Sequence, residues 1–164
     1  MKAKKVATYG ILIALAMIFS YLESLVPLSI AVPGLKLGLA NIVTIFALYR
    51  LSFKGACAIS LIRVMLSGIL FGNIFSLIFS AAGAALSLAV MFPLSRSETC
   101  GKILVSVAGG VAHNAGQIVA AIFVTNTWQI VWYFPFLCLT GTLAGIGIGL
   151  VSALILRQTE TIAP

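Results

Sequence analysis

Four polar residues, Arg63, His113, Asn114 and Gln117, interrupt long apolar stretches of the sequence. A polar side chain inside a bilayer is costly, so it usually faces a cavity or a partner. The planar guanidinium of Arg63 suits a phosphate, a carboxylate or a flavin-like group. His113 could contact a ligand or carry a proton, and the neighbouring amides could orient a polar ligand. These four residues are therefore candidates for a substrate-binding site without covalent chemistry.

Their positions predict a shared depth in the membrane. At 1.5 Å per residue, Arg63 lies roughly 13 Å from the inner end of its apolar segment, and His113 to Gln117 lie roughly 16–22 Å from theirs. His113 and Gln117 share one helix face because they are four residues apart. Four further candidates are expected in the outer half, namely Glu23, Asn41, Asn73 and Ser76. This pattern suits a pocket that opens to the outside above an apolar floor.

Each candidate also has a structural interpretation. Arg63 could form an ion pair with Glu23 instead of binding an anion. His113 could be an interhelical hydrogen-bonding residue, and the three asparagines could join helices in the same way. Glu23 and Lys36 could be anchors at the membrane interface. The sequence leaves these alternatives open.

The composition of the chain predicts that the elements that position these residues are membrane helices. Of 164 residues, 62% are hydrophobic and only 8% are charged, and the mean hydropathy is +1.20. A soluble domain is usually about half apolar and a quarter charged, so a water-soluble domain, a disordered tail and a disulfide-stapled secreted module are excluded. Since a spanning helix needs about 20 apolar residues, the chain has room for about six.

The hydropathy pattern predicts one all-α membrane domain over residues 1–164. Its apolar runs are continuous rather than alternating, which excludes a β-barrel. The basic start Met1–Lys5 could imitate a signal peptide, but the run continues to about Leu28 without a convincing cleavage site, which favours a retained helix. The six predicted helices cover approximately residues 6–28, 35–50, 54–71, 73–94, 102–124 and 129–156.

Charge sets the predicted orientation. With the N-terminus inside, eight basic residues face the cytoplasm: Lys2, Lys4, Lys5, Arg50, Lys54, Arg96, Lys102 and Arg157. Only Lys36 faces outside, so the positive-inside rule favours a multi-pass protein of the cell membrane with both termini cytoplasmic. Trp128, Trp132 and Tyr133 then fall at the outer interface, where amphipathic rings prefer to lie. The basic loops are interpreted as topology signals facing an anionic leaflet, not as a nucleic-acid site.

Catalysis is not expected, and no catalytic residue, metal site or cofactor is predicted. The chain has no phosphate-binding loop of the form GxxxxGK[ST] and no aspartate, while Glu98 and Glu160 lie in a cytoplasmic loop and tail. Magnesium-dependent diphosphate chemistry therefore lacks ligands. A single histidine and three unpaired cysteines exclude a conventional zinc site.

Small residues recur at helix-packing spacing. Gly141, Gly145 and Gly149 form one such stripe, and Gly10 with Ala14 forms another in the first segment. Such stripes let backbones approach closely, either within the bundle or against another membrane subunit. The first segment is the better candidate for a subunit contact because its stripe could face outward.

Three motifs carry a family resemblance: VPGLKLGLANIVT from Val32, ILFGNIFS from Ile69 and VAHNAGQ from Val111. Together they resemble the Gx transporter family, also labelled heptaprenyl diphosphate synthase component I, over almost the whole chain. That family is similar to the substrate-binding S components of energy-coupling factor (ECF) transporters, six-helix membrane proteins with both termini inside. The resemblance implies capture of a small molecule outside and toppling against a transmembrane coupling subunit that two ATPases drive. Its contact motif on the first helix matches Gly10 and Ala14, with glycine in place of the usual first alanine.

Three functional hypotheses follow. The favoured one is a substrate-binding subunit for a flavin-like or isoprenoid- or quinone-related molecule, with a lid at Leu28–Lys36 or tilting of the whole bundle providing access. The second is a non-catalytic membrane component associated with polyprenyl diphosphate or menaquinone biosynthesis. The third is a channel or secondary carrier that works alone.

Overall fold

The computed structural model describes residues 2–25 and 38–162, and the regular elements within these ranges are all helices. They are α1 (Lys2–Leu25), α2 (Asn41–Arg50), α3 (Phe53–Phe71), α4 (Ile74–Arg96), α5 (Lys102–Thr125), a 3₁₀ helix (Trp128–Tyr133) and α6 (Phe134–Ile162). The predicted all-α class is confirmed. The predicted bounds agree to within a few residues for α3, α4 and α5, and α1 begins four residues earlier than predicted.

Side chains and backbone conformation set where several helices begin and end. The Ser52 hydroxyl caps α3 by accepting a hydrogen bond from Gly55 N at 3.1 Å. Asn73 caps α4 in the same way, since its Oδ1 accepts from Ser76 N at 2.8 Å. Such caps satisfy amides that lack partners within the helix. Asn126 follows the last residue of α5 and adopts the left-handed conformation, with φ of 50°, that commonly terminates a helix.

Five helices in the described residues are long and apolar enough to span a membrane, namely α1, α3, α4, α5 and the stretch that includes α6. The count of six spanning helices therefore remains a prediction. The second segment was expected to cover residues 35–50, but α2 begins at Asn41 and has ten residues. At 1.5 Å per residue it extends about 15 Å, roughly half of a bilayer core of about 30 Å.

Glycines bring α4 and α6 into backbone contact with α5. A Cβ on Gly116 would lie 2.6 Å from the carbonyl oxygen of Ala82 in α4, and a Cβ on Gly145 would lie 2.6 Å from Val107 Cα in α5. Such close approach is the usual role of small residues between membrane helices. The small-residue stripe of α6 thus packs inside the bundle.

The apolar core lies in one half of the bundle. It includes Leu12 of α1, Ala47 of α2, Ile59 of α3, Met91 of α4 and Val105 of α5, each buried. Because successive helices run in opposite directions, these residues lie in the first half of α1, α3 and α5 and in the second half of α2 and α4. All five therefore lie toward the end of the bundle at which α1 begins. This core is the apolar region on which the predicted pocket floor depends, and the pocket itself stays a prediction.

Basic side chains collect at the end of the bundle beside this core, here called the basic end. It is formed by the start of α1, the α2–α3 and α4–α5 junctions and the last turns of α6, and carries Lys4, Lys5, Arg50, Lys54, Arg96, Lys102 and Arg157. Arg50 joins two of these elements, since its Nη2 donates to the carbonyl oxygen of Leu156 at 2.7 Å and to Thr159 Oγ1 at 3.0 Å. Trp128 and Trp132 are exposed at the opposite end. This arrangement matches the charge asymmetry on which the predicted orientation depends.

Candidate functional site

Five of the predicted site residues are buried in the interior of the bundle, where the contacts given below connect them. Glu23 of α1, Asn41 of α2, Arg63 of α3, and His113 and Gln117 of α5 are each at most 4% exposed. These five residues are called the polar cluster below. Because a polar group removed from water needs compensation, their common burial requires that they interact with one another, with the backbone or with a bound molecule.

Glu23 connects the end of α1 to the start of α2. Its Oε1 accepts a hydrogen bond from Gly38 N across fifteen positions of sequence. The first amides of a helix carry partial positive charge, so a carboxylate near α2's first turn is favourable. Glu23 is therefore a buried residue that joins α1 to the turn before α2.

Gly38 is required where the chain enters α2. Its φ is +84°, a conformation that side chains other than glycine's rarely adopt. A Cβ there would lie 3.1 Å from Asn41 Nδ2 and 3.5 Å from His113 Cδ2. The absent side chain thus lets the turn before α2 pack directly against the amide and the imidazole.

The shared face of α5 predicted for His113 and Gln117 is confirmed, and it packs on α4. A Cβ on Gly83 would lie 2.9 Å from His113 Cε1 and 3.0 Å from Gln117 Cγ. The backbone of α4 therefore closes over the edge of the imidazole. One glycine from α4 and one from the turn before α2 flank His113 and fix the position of its ring.

Arg63 is the most deeply buried cation among the described residues, with 2% of its surface exposed. The Glu23 carboxylate is near enough to influence it electrostatically, and an ion pair between the two stays a prediction. Its Nη2 is buried and makes no hydrogen bond to any described residue. Arg63 lies in the eleventh position of α3, about 15 Å from the start of the helix, so this group lies near mid-depth.

Three other predicted site residues lie outside the polar cluster. The Asn114 amide donates to the carbonyl oxygen of Leu137 at 2.7 Å and so joins α5 to α6. Asn73 is exposed and caps α4, and Ser76 is buried in the first turn of the same helix. The structure thus gives Asn114 and Asn73 roles in joining and ending helices.

The two residues predicted for a subunit contact lie on the surface of the bundle. Gly10 and Ala14 are both exposed along α1, and a Cβ on Gly10 would meet no atom within 4 Å. Their stripe therefore faces outward, unlike the stripe of α6.

Sequence reasoning missed three residues beside the polar cluster: Gly38, Ser20 and Ser80. Ser20 lies one turn before Glu23 and Ser80 one turn before Gly83, and each hydroxyl is buried without a hydrogen-bond partner among the described residues. The spacing of Ser20 relative to Glu23 and of Ser80 relative to Gly83 was visible, but buried serine is common in membrane helices and carries little signal alone. Gly38 lies within the first quoted motif, where its positive φ could not be inferred.

The arrangement can bind a small polar or anionic molecule, since it combines a cation, a carboxylate, an imidazole and two amides. Across residues 2–25 and 38–162, no three His, Cys, Asp or Glu side chains come together to hold a metal ion. The predicted lid at Leu28–Lys36, including Lys36, lies outside the described residues.

Comparison with curated proteins and with solved structures finds no significant match. The family model described as heptaprenyl diphosphate synthase component I matches residues 12–155. The matched range contains every residue of the polar cluster and five of the six helices in full or nearly so, from α2 through most of α6. The chain therefore belongs to the heptaprenyl diphosphate synthase component I family.

Proposed function

We propose that this chain is the substrate-binding membrane subunit of an ECF-type transporter, which captures a small molecule while partner subunits hydrolyse ATP. The observation that supports the proposal is the polar cluster, in which five side chains from four helices are buried. Polar and ionisable residues inside a membrane bundle usually mark a substrate path or a binding site.

The charges of the polar cluster indicate what it would bind. Arg63 offers a buried guanidinium donor to an anionic group such as a phosphate or a carboxylate. His113, Gln117 and Asn41 offer donors and acceptors that would orient the rest of the molecule. A flavin-like or an isoprenoid- or quinone-related compound with an anionic or polar head meets these requirements.

The short helix α2 supports the same proposal. Its first residue, Asn41, belongs to the polar cluster, and in the turn before it the Gly38 amide donates to the Glu23 carboxylate. Transporters commonly place the ends of discontinuous helices at a substrate site near the midplane. Helix N-termini favour anionic groups, which agrees with a ligand that Arg63 also attracts.

The orientation of the site follows from the charge distribution. With the basic end in the cytoplasm, both termini lie on the cytoplasmic side of the cell membrane, and the polar cluster is reached from outside the cell. Gly10 and Ala14 then form an outward-facing contact on α1 for a transmembrane coupling subunit, which would work with ATPases in trans. Small residues suit this contact because they allow close helix approach.

The first test is mass spectrometry, with a visible absorbance scan, of small molecules that stay bound through purification in mild detergent. The wild type is compared with the double variant Glu23→Gln/Arg63→Met, which removes both buried charges together and so avoids leaving one unpaired. Arg157→Ala, which removes an exposed arginine at the basic end, is the matched control. We expect wild type and control to carry the ligand and the double variant to lose it while staying folded. Equal retention by all three proteins would exclude Arg63 as a ligand contact.

A second candidate function rests on the description of the matched family model. Its wording, component I of a heptaprenyl diphosphate synthase, supports a non-catalytic membrane component that holds a lipidic substrate for a partner enzyme. This alternative predicts co-isolation with a soluble prenyl transferase and a bound prenyl diphosphate or quinone precursor. Co-isolation with a coupling subunit and ATPases favours the transporter instead, and uptake by the chain alone in liposomes would favour a carrier over both.

A further inference from the structure

A second feature with the character of a binding site lies at the basic end, well away from the polar cluster. A cavity of about 570 Å³ opens between the first turns of α1 and the α2–α3 junction. This volume is within the range of small-molecule sites, about 300–1,000 Å³. Six of its lining residues carry polar side chains: Lys4, Lys5, Thr8, Tyr9, Arg50 and Ser52.

Among the residues that the structure describes, every charged side chain that lines this cavity is positive. Lys4, Lys5 and Arg50 line it, and no carboxylate does. The first turn of α3 also begins here, since Ser52 is its N-cap, and helix N-termini favour anions. An anion that enters this space would be attracted by all three cations.

Packed contacts hold the walls of the cavity in place. On one side, Arg50 is fixed by its hydrogen bonds to the last turns of α6. On the other, α1 lies directly against α3, because a Cβ on Gly55 would be 2.6 Å from the Tyr9 hydroxyl oxygen. Lys4 and Lys5 precede Thr8 and Tyr9 by one turn, so the same contact positions the backbone from which both lysine side chains extend.

The cavity adjoins exposed apolar surface. Val6, next to Lys5, is 72% exposed, and Ile11 further along α1 is 62% exposed. A molecule with a charged head and a hydrocarbon tail could therefore place the head among the cations and the tail along α1.

We propose that this cavity binds a phosphate-bearing head group. The shared chemistry is a phosphate or diphosphate held by two lysines and an arginine. It could come from an anionic phospholipid of the surrounding leaflet or from a soluble diphosphate.

The test uses the full chain, delipidated in detergent, and two probes. Native mass spectrometry measures binding of phosphatidylglycerol, with phosphatidylcholine as the neutral comparison. Thermal unfolding measures stabilisation by inorganic diphosphate. The variant Lys4→Ala/Lys5→Ala removes two charges that line the cavity, and Lys54→Ala/Arg157→Ala removes two exposed charges from the same end that do not line it.

We expect the cavity variant to bind one of the probes roughly 30-fold more weakly, from about fivefold for each lysine, and the control variant to stay near the wild type. A selective loss for phosphatidylglycerol assigns the site to a lipid head group, and a selective loss for diphosphate assigns it to a soluble anion. Equal weakening by the two double variants, or no binding of either probe, would overturn the proposal. Because all four substituted residues are exposed, folding of both variants should be unaffected.

Discussion

The interaction between Glu23 and Arg63 can be tested by removing each charge alone and then both together. Glu23→Gln keeps an oxygen that can accept from Gly38 N, so it removes the charge while preserving the hydrogen bond. Arg63→Met replaces the guanidinium with an apolar chain of similar length. Each single variant leaves one charge at a position that is at most 4% exposed.

The expected magnitudes follow from this burial. Leaving one member of a buried ion pair uncompensated costs about 3–5 kcal/mol, whereas replacing both members is often close to neutral. For a chain of this length, about 3 kcal/mol corresponds to a fall of roughly 6–12 °C in the midpoint of thermal unfolding. We therefore expect each single variant to lose at least that much and the double variant to recover most of it.

The assay is thermal unfolding of the three variants and the wild type in the same detergent, analysed as a double-mutant cycle. A coupling free energy of about 2 kcal/mol or more would establish the pair. If the destabilisation of the double variant equals the sum of the two single effects, the charges do not interact. That result would refute the argument and leave Arg63 as a cation held for a ligand alone.

Three further predictions use the same unfolding measurement. Gly38→Ala should destabilise the chain by about 1–2 kcal/mol because φ is +84° there. The control Gly10→Ala, which has open space around it, should leave the stability unchanged. Equal destabilisation by the two variants would contradict the role given to the turn before α2. Gly116→Ala should cost about 1–3 kcal/mol by forcing α4 away from α5, and an unchanged midpoint would show that the two helices yield easily. Asn114→Ala should lower stability by about 0.6–1.7 kcal/mol through loss of its bond to α6 while ligand retention stays unchanged; loss of the ligand would return Asn114 to the site.

The hydropathy pattern located most helices because their apolar runs are long and continuous. The distribution of basic residues indicated which helix ends lie at the same end of the bundle. The hydropathy pattern failed at the start of α2, because Leu39 and Ala40 are as apolar as a helix requires but lie in a turn. Gly38 takes a positive φ there, and composition does not reveal backbone conformation. The helix consequently begins at Asn41.

Helical periodicity alone predicted that His113 and Gln117 share one face of α5. Asn114 shows what periodicity could not predict. Whether an amide faces a pocket or a neighbouring helix depends on the rotation of α5 against α6, which close glycine packing sets in three dimensions. Asn73 shows a second limit, because an asparagine that caps a helix and one that binds a ligand are the same residue type in sequence.

The glycine contacts of α5 divide the bundle into two mechanical parts. Backbone contact makes α4, α5 and α6 a stiff slab, and the polar cluster lies where this slab meets α1, α2 and α3. Arg50 of α2 fastens the two parts together at the basic end through α6. At the opposite end the link between α3 and α4 joins the same two parts, since only Gly72 and Asn73 separate these helices and a Cβ on Gly68 would lie 2.7 Å from Leu77 Cδ1. The two parts are therefore connected at both ends of the bundle, and along α3 Arg63 lies between the two connections.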